Sequence, residues 1–251
     1  MRLQGKSAIV TGGASGIGRA SAIALAAEGA AVAVSDINAD GGEETVRIIT
    51  EAGGRAIFVQ ADVAFESQAK ALVDATVEAF GTVDVLFNNA GINPMEGSVL
   101  DISTEEWDRI FAVNVDSIFF CSRHAIPHML KSGSGRIINT ASPGSFKGWG
   151  GNVGYLASKG AVMSLTRSLA LDFAKDNITV NALVPGLIKT GIGENFLSAQ
   201  DDPSAAASGA NALGRTGEPS EVAPLVVYLA TDESRFSTGA PFYVDGGELA
   251  S

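Results

Sequence analysis

The chain has 251 residues, 46% of them apolar and 18% charged, with a mean hydropathy of +0.22; this composition suits a large buried core and excludes a disordered chain. Its 28 acidic against 17 basic residues give a formal charge of −11, which argues against nucleic acid as a partner and disfavours contact with a membrane surface. No run reaches the roughly 18 unbroken apolar residues that a membrane helix requires, the lone Cys121 cannot close an internal disulfide, and Met1 to Lys6 hold no apolar leader core, so a reducing cytoplasm is the expected setting.

Short β-branched or apolar runs alternate with amphipathic stretches along the chain, the pattern of parallel strands joined by crossover helices. Seven strands are expected, at Ser7–Val10, Ala31–Ser35, Ala56–Val59, Val83–Phe87, Arg136–Thr140, Thr179–Val184 and Phe242–Val244. Most are apolar on both faces, as strands covered by helices must be. Between them the spacing predicts helices over Ile17–Glu28, Gly42–Glu51, Ser67–Phe80, Glu105–Leu130, Tyr155–Lys175 and Glu221–Thr231. Gly29 and Gly81 stand where helix-terminating glycines belong, and Ser103 with Glu106 fits a capping box. Length and pattern together predict one α/β domain over 1–251, a seven-stranded parallel sheet of the Rossmann type with helices on both faces. One stretch, 186–217, is polar and small and follows a strand's carboxyl end, where a substrate lid belongs.

Thr11-Gly12-Gly13-Ala14-Ser15-Gly16-Ile17-Gly18 follows the first strand and opens the first helix. The glycines alone fit a plain turn as well as a cradle for a pyrophosphate, in which free N–H groups and the positive end of the next helix face the negative charge. Asp36, which ends the second strand, favours the cradle, because a carboxylate there accepts hydrogen bonds from an adenosine ribose. It would also repel a 2′-phosphate, and neither Ser15 nor Ile37 brings a neutralising charge, so NAD is favoured over NADP.

The three residues between Gly12 and Gly16 depart from the general dinucleotide fingerprint and resemble the short-chain dehydrogenase/reductase family in its compact classical form. The rest of the chain agrees. Asn88-Asn89-Ala90-Gly91 is similar to the family's motif after the fourth strand, and Asn114, Ser142, Tyr155 and Lys159 match its catalytic tetrad in order and spacing. Pro185-Gly186 with Thr190 resembles the nicotinamide-side loop, and Asp245-Gly246-Gly247 the carboxyl-terminal signature. Taken singly each motif is weak; the ordered set spans essentially the whole chain.

The resemblance implies an NAD-dependent oxidoreductase that moves a hydride between a secondary alcohol or ketone and nicotinamide. Tyr155 would be the acid/base, assisted by Lys159, Ser142 and Asn114, the last positioning a water in a proton relay. On a helix, Tyr155 and Lys159 share a face, and an ammonium beside the phenol should favour its ionised form. The implied cofactor contacts are Gly12, Ser15, Gly16, Ile17, Gly18, Asp36, Asp62, Val63, Asn89, Ala90, Gly91, Tyr155, Lys159, Pro185, Gly186, Ile188 and Thr190, while Asn88 is expected to be structural. Members of this family usually form tetramers through the helices corresponding to Glu105–Leu130 and Tyr155–Lys175, with a second contact near the carboxyl terminus.

The substrate pocket is expected among Asn93, Pro94, Pro143, Phe146, Trp149 and Leu187, a largely apolar set that suits a small to medium alicyclic alcohol or ketone. Lys147 and Lys189 are the cations available for an anionic group. Pro143 stands where a small polar residue is expected and removes a backbone donor beside Ser142. Two alternatives remain at this level: an NADPH-dependent 3-oxoacyl-thioester reductase, and a non-catalytic NAD(H)-binding sensor or scaffold. His124 and His128 share a helical face but lack the glutamate of a hydrolytic metal motif, so no metal site is expected. Cys121, beside Phe119 and Phe120, reads as a small buried hydrophobe.

Overall fold

Seven parallel strands form one sheet in the order β3-β2-β1-β4-β5-β6-β7 in the computed structural model, which describes residues 1–94 and 97–250. They are β1 (Ser7–Thr11), β2 (Ala31–Asp36), β3 (Arg55–Gln60), β4 (Val85–Asn88), β5 (Gly135–Thr140), β6 (Ile178–Pro185) and β7 (Pro241–Val244). Successive residues of the central strands feed opposite faces. Val10, Phe87 and Ile138 join one core with α1 (Gly16–Ala27) and α9 (Pro219–Ala230), while Ile9, Leu86 and Ile137 join the other with α3 (Glu66–Phe80) and α5 (Ser117–Ser132). That two-sided burial explains why the strands read as unbroken apolar runs.

The order of strands reverses at the β1/β4 boundary, so the chain diverges there and leaves a crevice above the carboxyl ends. Helix α2 (Ala39–Glu51) begins three residues before the expected Gly42 because the Asn38 side chain accepts from Gly41 N and caps it. The expected capping box is formed by Ser103 and Glu106 at α4 (Thr104–Phe111), and Gly81 ends α3 with φ +88°.

One expectation needs correction. The helix foreseen over Glu105–Leu130 is α4 and α5 joined by a wider π turn at Ala112–Asp116, with Asn114 buried inside it. A sequence period of 3.6 carries no mark of one inserted residue. The stretch 186–217 contains two short helices, α7 (Gly191–Ser198), capped by Thr190, and α8 (Pro203–Gly209), capped by Asp202 with Pro203 at the first helical position. Its two ends are laced together, Lys189 N donating to Gly217 O at 2.8 Å and Gly217 N to Leu187 O at 2.9 Å. The longest helix, α6 (Val153–Phe173), runs against β5 and β6 and carries Tyr155 and Lys159 in its first two turns.

Candidate active site

Glycine is required where β1 turns into α1. A methyl group on Gly18 would stand 2.0 Å from Gly12 O, and one on Gly16, at φ +52°, would stand 2.9 Å from Thr190 Cγ2. The first contact seats α1 against the turn, and the second brings the loop after β6 over it. Thr11 and Asn89 brace the same turn: Asn89 Nδ2 donates to Thr11 O and Gly12 O, and Thr11 Oγ1 accepts from Asn89 N and Ala90 N. Asn88 Nδ2 donates to Asn139 Oδ1 at 2.9 Å between β4 and β5, the structural role expected of it.

Asp36 closes the far end. Its Oδ2 accepts from Ala14 N and its Oδ1 from Asn38 N, both at 3.0 Å, which fixes the carboxylate at the rim with lone pairs to spare. Asp62 and Val63 stand beside it, Asp62 Oδ1 accepting from Ala64 N at 3.1 Å. The cleft running from this rim to Tyr155 measures about 1660 Å³. That exceeds the about 300–1,000 Å³ of an ordinary small-ligand pocket and leaves room for a dinucleotide and a second molecule.

Tyr155, Ser142 and Lys159 meet at its floor. Ser142 ends the chain segment after β5 in extended backbone, its Oγ accepting from Gly144 N at 3.2 Å and hydrogen-bonded to the Tyr155 phenol. Lys159 Nζ lies 5.7 Å from the Tyr155 ring centre and donates to Thr140 O at 2.8 Å. Both groups are buried, and burial disfavours the charged form of each. The phenol is therefore pushed up, the Ser142 hydrogen bond opposing this and the nearby Glu248 carboxylate adding to it. The amine is pushed down to about 8. Burial dominates the shift of the phenol, and Lys159, its Nζ hydrogen-bonded to the Thr140 carbonyl, is not among its causes.

Asn114 does not line the cleft. Its Oδ1 accepts from Ile92 N at 2.8 Å, and its Nδ2 donates to Ile92 O and Ser158 Oγ, each at 3.0 Å. The side chain thus ties the loop after β4 to α6, and both its N–H groups are committed. Gly18 likewise supports the turn from behind, whereas Gly12, Ser15, Gly16, Ile17, Asn89, Ala90, Gly91, Pro185, Gly186, Ile188 and Thr190 do face the cleft. Of the expected substrate residues, Asn93, Pro94, Pro143, Trp149 and Leu187 line it. Phe146 does not: the short helical turn Pro143–Ser145 swings it outward, 40% exposed, with its ring 5.6 Å from that of Tyr243 on β7.

The sequence reading missed Glu248. It lies three residues past Asp245, lines the cleft, and pairs with Lys147 at 3.1 Å with its side chain 13% exposed. Only the return of the carboxyl-terminal segment across the strand ends brings it there. Lys189 is paired too, 3.7 Å from Glu218, so both cations foreseen for an anionic substrate have carboxylate partners.

A glycine-bedded turn, a ribose-height carboxylate and a buried Ser-Tyr-Lys group along one crevice define a nicotinamide-dependent oxidoreductase site. The comparisons agree. The sequence model of a family described as enoyl-(acyl carrier protein) reductase matches residues 12–248. Among curated proteins, the chain is 44% identical over 254 residues to an NADP-dependent (R)-specific alcohol dehydrogenase of Lentilactobacillus kefiri, covering 99% of this chain and 98% of that one. It is 40% identical over 250 residues to a cyclopentanol dehydrogenase of Comamonas testosteroni, covering 100% and 99%. Among solved structures, a levodione reductase superposes with a TM-score of 0.95 at 34% identity over 100% of both chains. The chain belongs to the classical short-chain dehydrogenase/reductase family.

No helix among the described residues is long and apolar enough to cross a membrane, and no cluster of His, Cys, Asp or Glu among them could hold a metal ion.

Proposed function

We propose that the protein is an NAD-dependent dehydrogenase and reductase of neutral secondary alcohols and ketones, working in the cytoplasm as a tetramer built on α5 and α6. The observation that carries this reading is the buried Ser142–Tyr155 hydrogen bond with Lys159 alongside, in a crevice that continues to Asp36. When bound, the nicotinamide supplies the hydride acceptor or donor. Everything else falls to this chain. Ser142 and Tyr155 hold the substrate oxygen, Tyr155 takes the hydroxyl proton in oxidation or returns it in reduction, and Lys159 holds the mobile charge behind it.

Asp36 supports NAD, since no cation pairs with it among the described residues and a 2′-phosphate would meet its charge. The substrate reading rests on the apolar wall of Pro143, Trp149, Leu187 and Ile188, and on relatives and a structural neighbour whose names include cyclopentanol and levodione. Ion pairing of Lys147 and Lys189 weighs against a substrate tethered to a phosphate-bearing carrier, as in the thioester reductase alternative.

Tyr155→Phe tests the central claim. It should keep NADH binding, read by quenching of protein fluorescence, and lose at least about 100-fold in kcat on cyclic and open-chain secondary alcohols. Full turnover by the variant would refute the role of Tyr155, and the absence of turnover by the unaltered chain across such substrates would return the sensor reading.

A further inference from the structure

Two opposite charges meet at the Tyr155 end of the cleft, one from each of two chain segments. Lys147 is the only charged residue between Ser142 and Tyr155, and Glu248 comes from the carboxyl-terminal turn. Both line the cleft, and they pair at 3.1 Å. The pair is lopsided, the lysine side chain being 43% exposed and the glutamate 13%. The ammonium is therefore the outer, hydrated partner. The carboxylate is the inner one, and its charge reaches Tyr155, where it adds to burial in keeping the phenol protonated.

Backbone contacts hold the turn that carries this carboxylate. Asp245 Oδ1 accepts from Gly247 N and Oδ2 from Leu249 N, both at 3.0 Å, and Glu248 N donates to Asp245 O at 3.2 Å. Leu249 packs on the buried cluster that includes Ile118, Ala141 and Val184. A methyl group on Gly186 would stand 2.8 Å from Asp245 Cα, so the turn is wedged against the loop after β6. With these contacts in place, changing Lys147 or Glu248 alters the field in the cleft more than the fold.

We propose that Glu248 determines specificity by charge: it turns away alcohols and ketones that carry a carboxylate or phosphate away from the reacting carbon, and it occupies Lys147 so that this cation does not recruit them. An anionic group entering there meets a carboxylate that water screens little, and the nearest attraction is a lysine already paired. A neutral group escapes that repulsion. Neutralising Glu248 removes the repulsion and releases Lys147 together, which converts the chain toward a reductase of oxo acids. This inference rests on the alcohol and ketone reading above and names the residue behind its preference for neutral substrates.

The test compares kcat/KM, with NADH, for 4-oxocyclohexanecarboxamide and 4-oxocyclohexanecarboxylate in the unaltered chain, Glu248→Gln, Lys147→Met and the double variant. The two ketones share ring, reacting carbon and outline and differ in one charge. Both use the same phenol, so a change in its acidity cancels in their ratio. The unaltered chain should favour the amide by about tenfold or more, and Glu248→Gln should bring that ratio to about one or below. Lys147→Met should raise the ratio, and the double variant should leave it near one. Equal kcat/KM for the two ketones in the unaltered chain, or a Glu248→Gln protein that keeps the preference, would overturn the charge filter while leaving the dehydrogenase reading standing. A Lys147→Met protein whose ratio falls as far as that of Glu248→Gln would overturn it too, since loss of the ion pair as a brace would then be the common cause. Turnover of neither ketone by the unaltered chain would instead remove the reading on which it rests.

Discussion

Burial acts on Tyr155 and Lys159 in the same direction, toward neutrality, and the two consequences can be measured separately. Lys159 titrates near 8 in the folded chain against about 10.4 when free. Between those values the unfolded chain binds the proton and the folded chain does not, so this group's contribution to stability rises with pH through that window and is unfavourable below it. Lys159→Met should abolish turnover yet raise the melting temperature at pH 7, with the advantage over the unaltered protein vanishing by about pH 10.5. Equal melting shifts at both pH values would show that the buried charge is not the cause. Asp36 offers the complementary test at the other end of the cleft. Asp36→Ala removes a ribose partner and a repulsive charge together, so the ratio of NADH to NADPH affinity should fall by at least about tenfold, most of it through tighter NADPH. Tighter NADPH than NADH binding by the unaltered protein would reverse the cofactor assignment, a live contrast given that the Lentilactobacillus relative is named for NADP.

Elements made visible by simple periodicity were legible in the sequence, and those shaped by one irregular residue were not. β1, β2 and β5 lie on both cores, so their apolar runs announced them, and glycines or a capping box marked the ends of α3 and α4. The π turn is different. Asn114 reads as a polar helix position, but its side chain bonds Ile92 and Ser158 from inside the helix, an arrangement set by tertiary partners rather than by spacing. The candidate site divides the same way: its Tyr155–Lys159 pair was legible through the ordered set of motifs that carries the family resemblance, the i, i+4 spacing giving only a shared helix face, whereas Glu248 and the outward swing of Phe146 depend on how the carboxyl-terminal segment and the turn after Ser142 fold back. Asn114→Ala should accordingly act on an element before it acts on chemistry. Three hydrogen bonds are lost, the one to Ser158 buried and the two to Ile92 partly so, costing about 1–3 kcal/mol, which in a chain of this size lowers the melting temperature by roughly 2–12 °C. Calorimetry would check this, and a melting point unchanged within 1 °C, as roughly the resolution of a sub-kilocalorie effect, would mean that the brace contributes nothing.

At the scale of the whole molecule, the apolar surface left outside the buried clusters is the feature to explain. Leu171 near the end of α6 is 82% exposed and Phe119 near the start of α5 is 44% exposed, both on helices that cover the sheet and both pointing away from it. Beyond β6, Phe236 is fully exposed and Tyr243 on β7 is 47% exposed, so a second apolar region marks the β7 edge. Scattered apolar residues need no partner, but large ones on the outer face of two long helices and again on a sheet edge are what two separate isologous contacts would cover. Two contacts with two-fold axes close a four-copy assembly, whereas one closes only a pair. Light scattering at micromolar concentration should therefore give four times the chain mass of 25.6 kDa. Leu171→Asp, which buries a charge only if the helix face is an interface, should reduce the mass to half or less while leaving the fold's circular dichroism intact. Phe236→Asp should do the same through the other contact, so that each variant stops at a different pair and the double variant reaches one copy. An unaltered chain that weighs one copy would remove the tetramer, and a Leu171→Asp protein of unchanged mass would place the helix contact elsewhere.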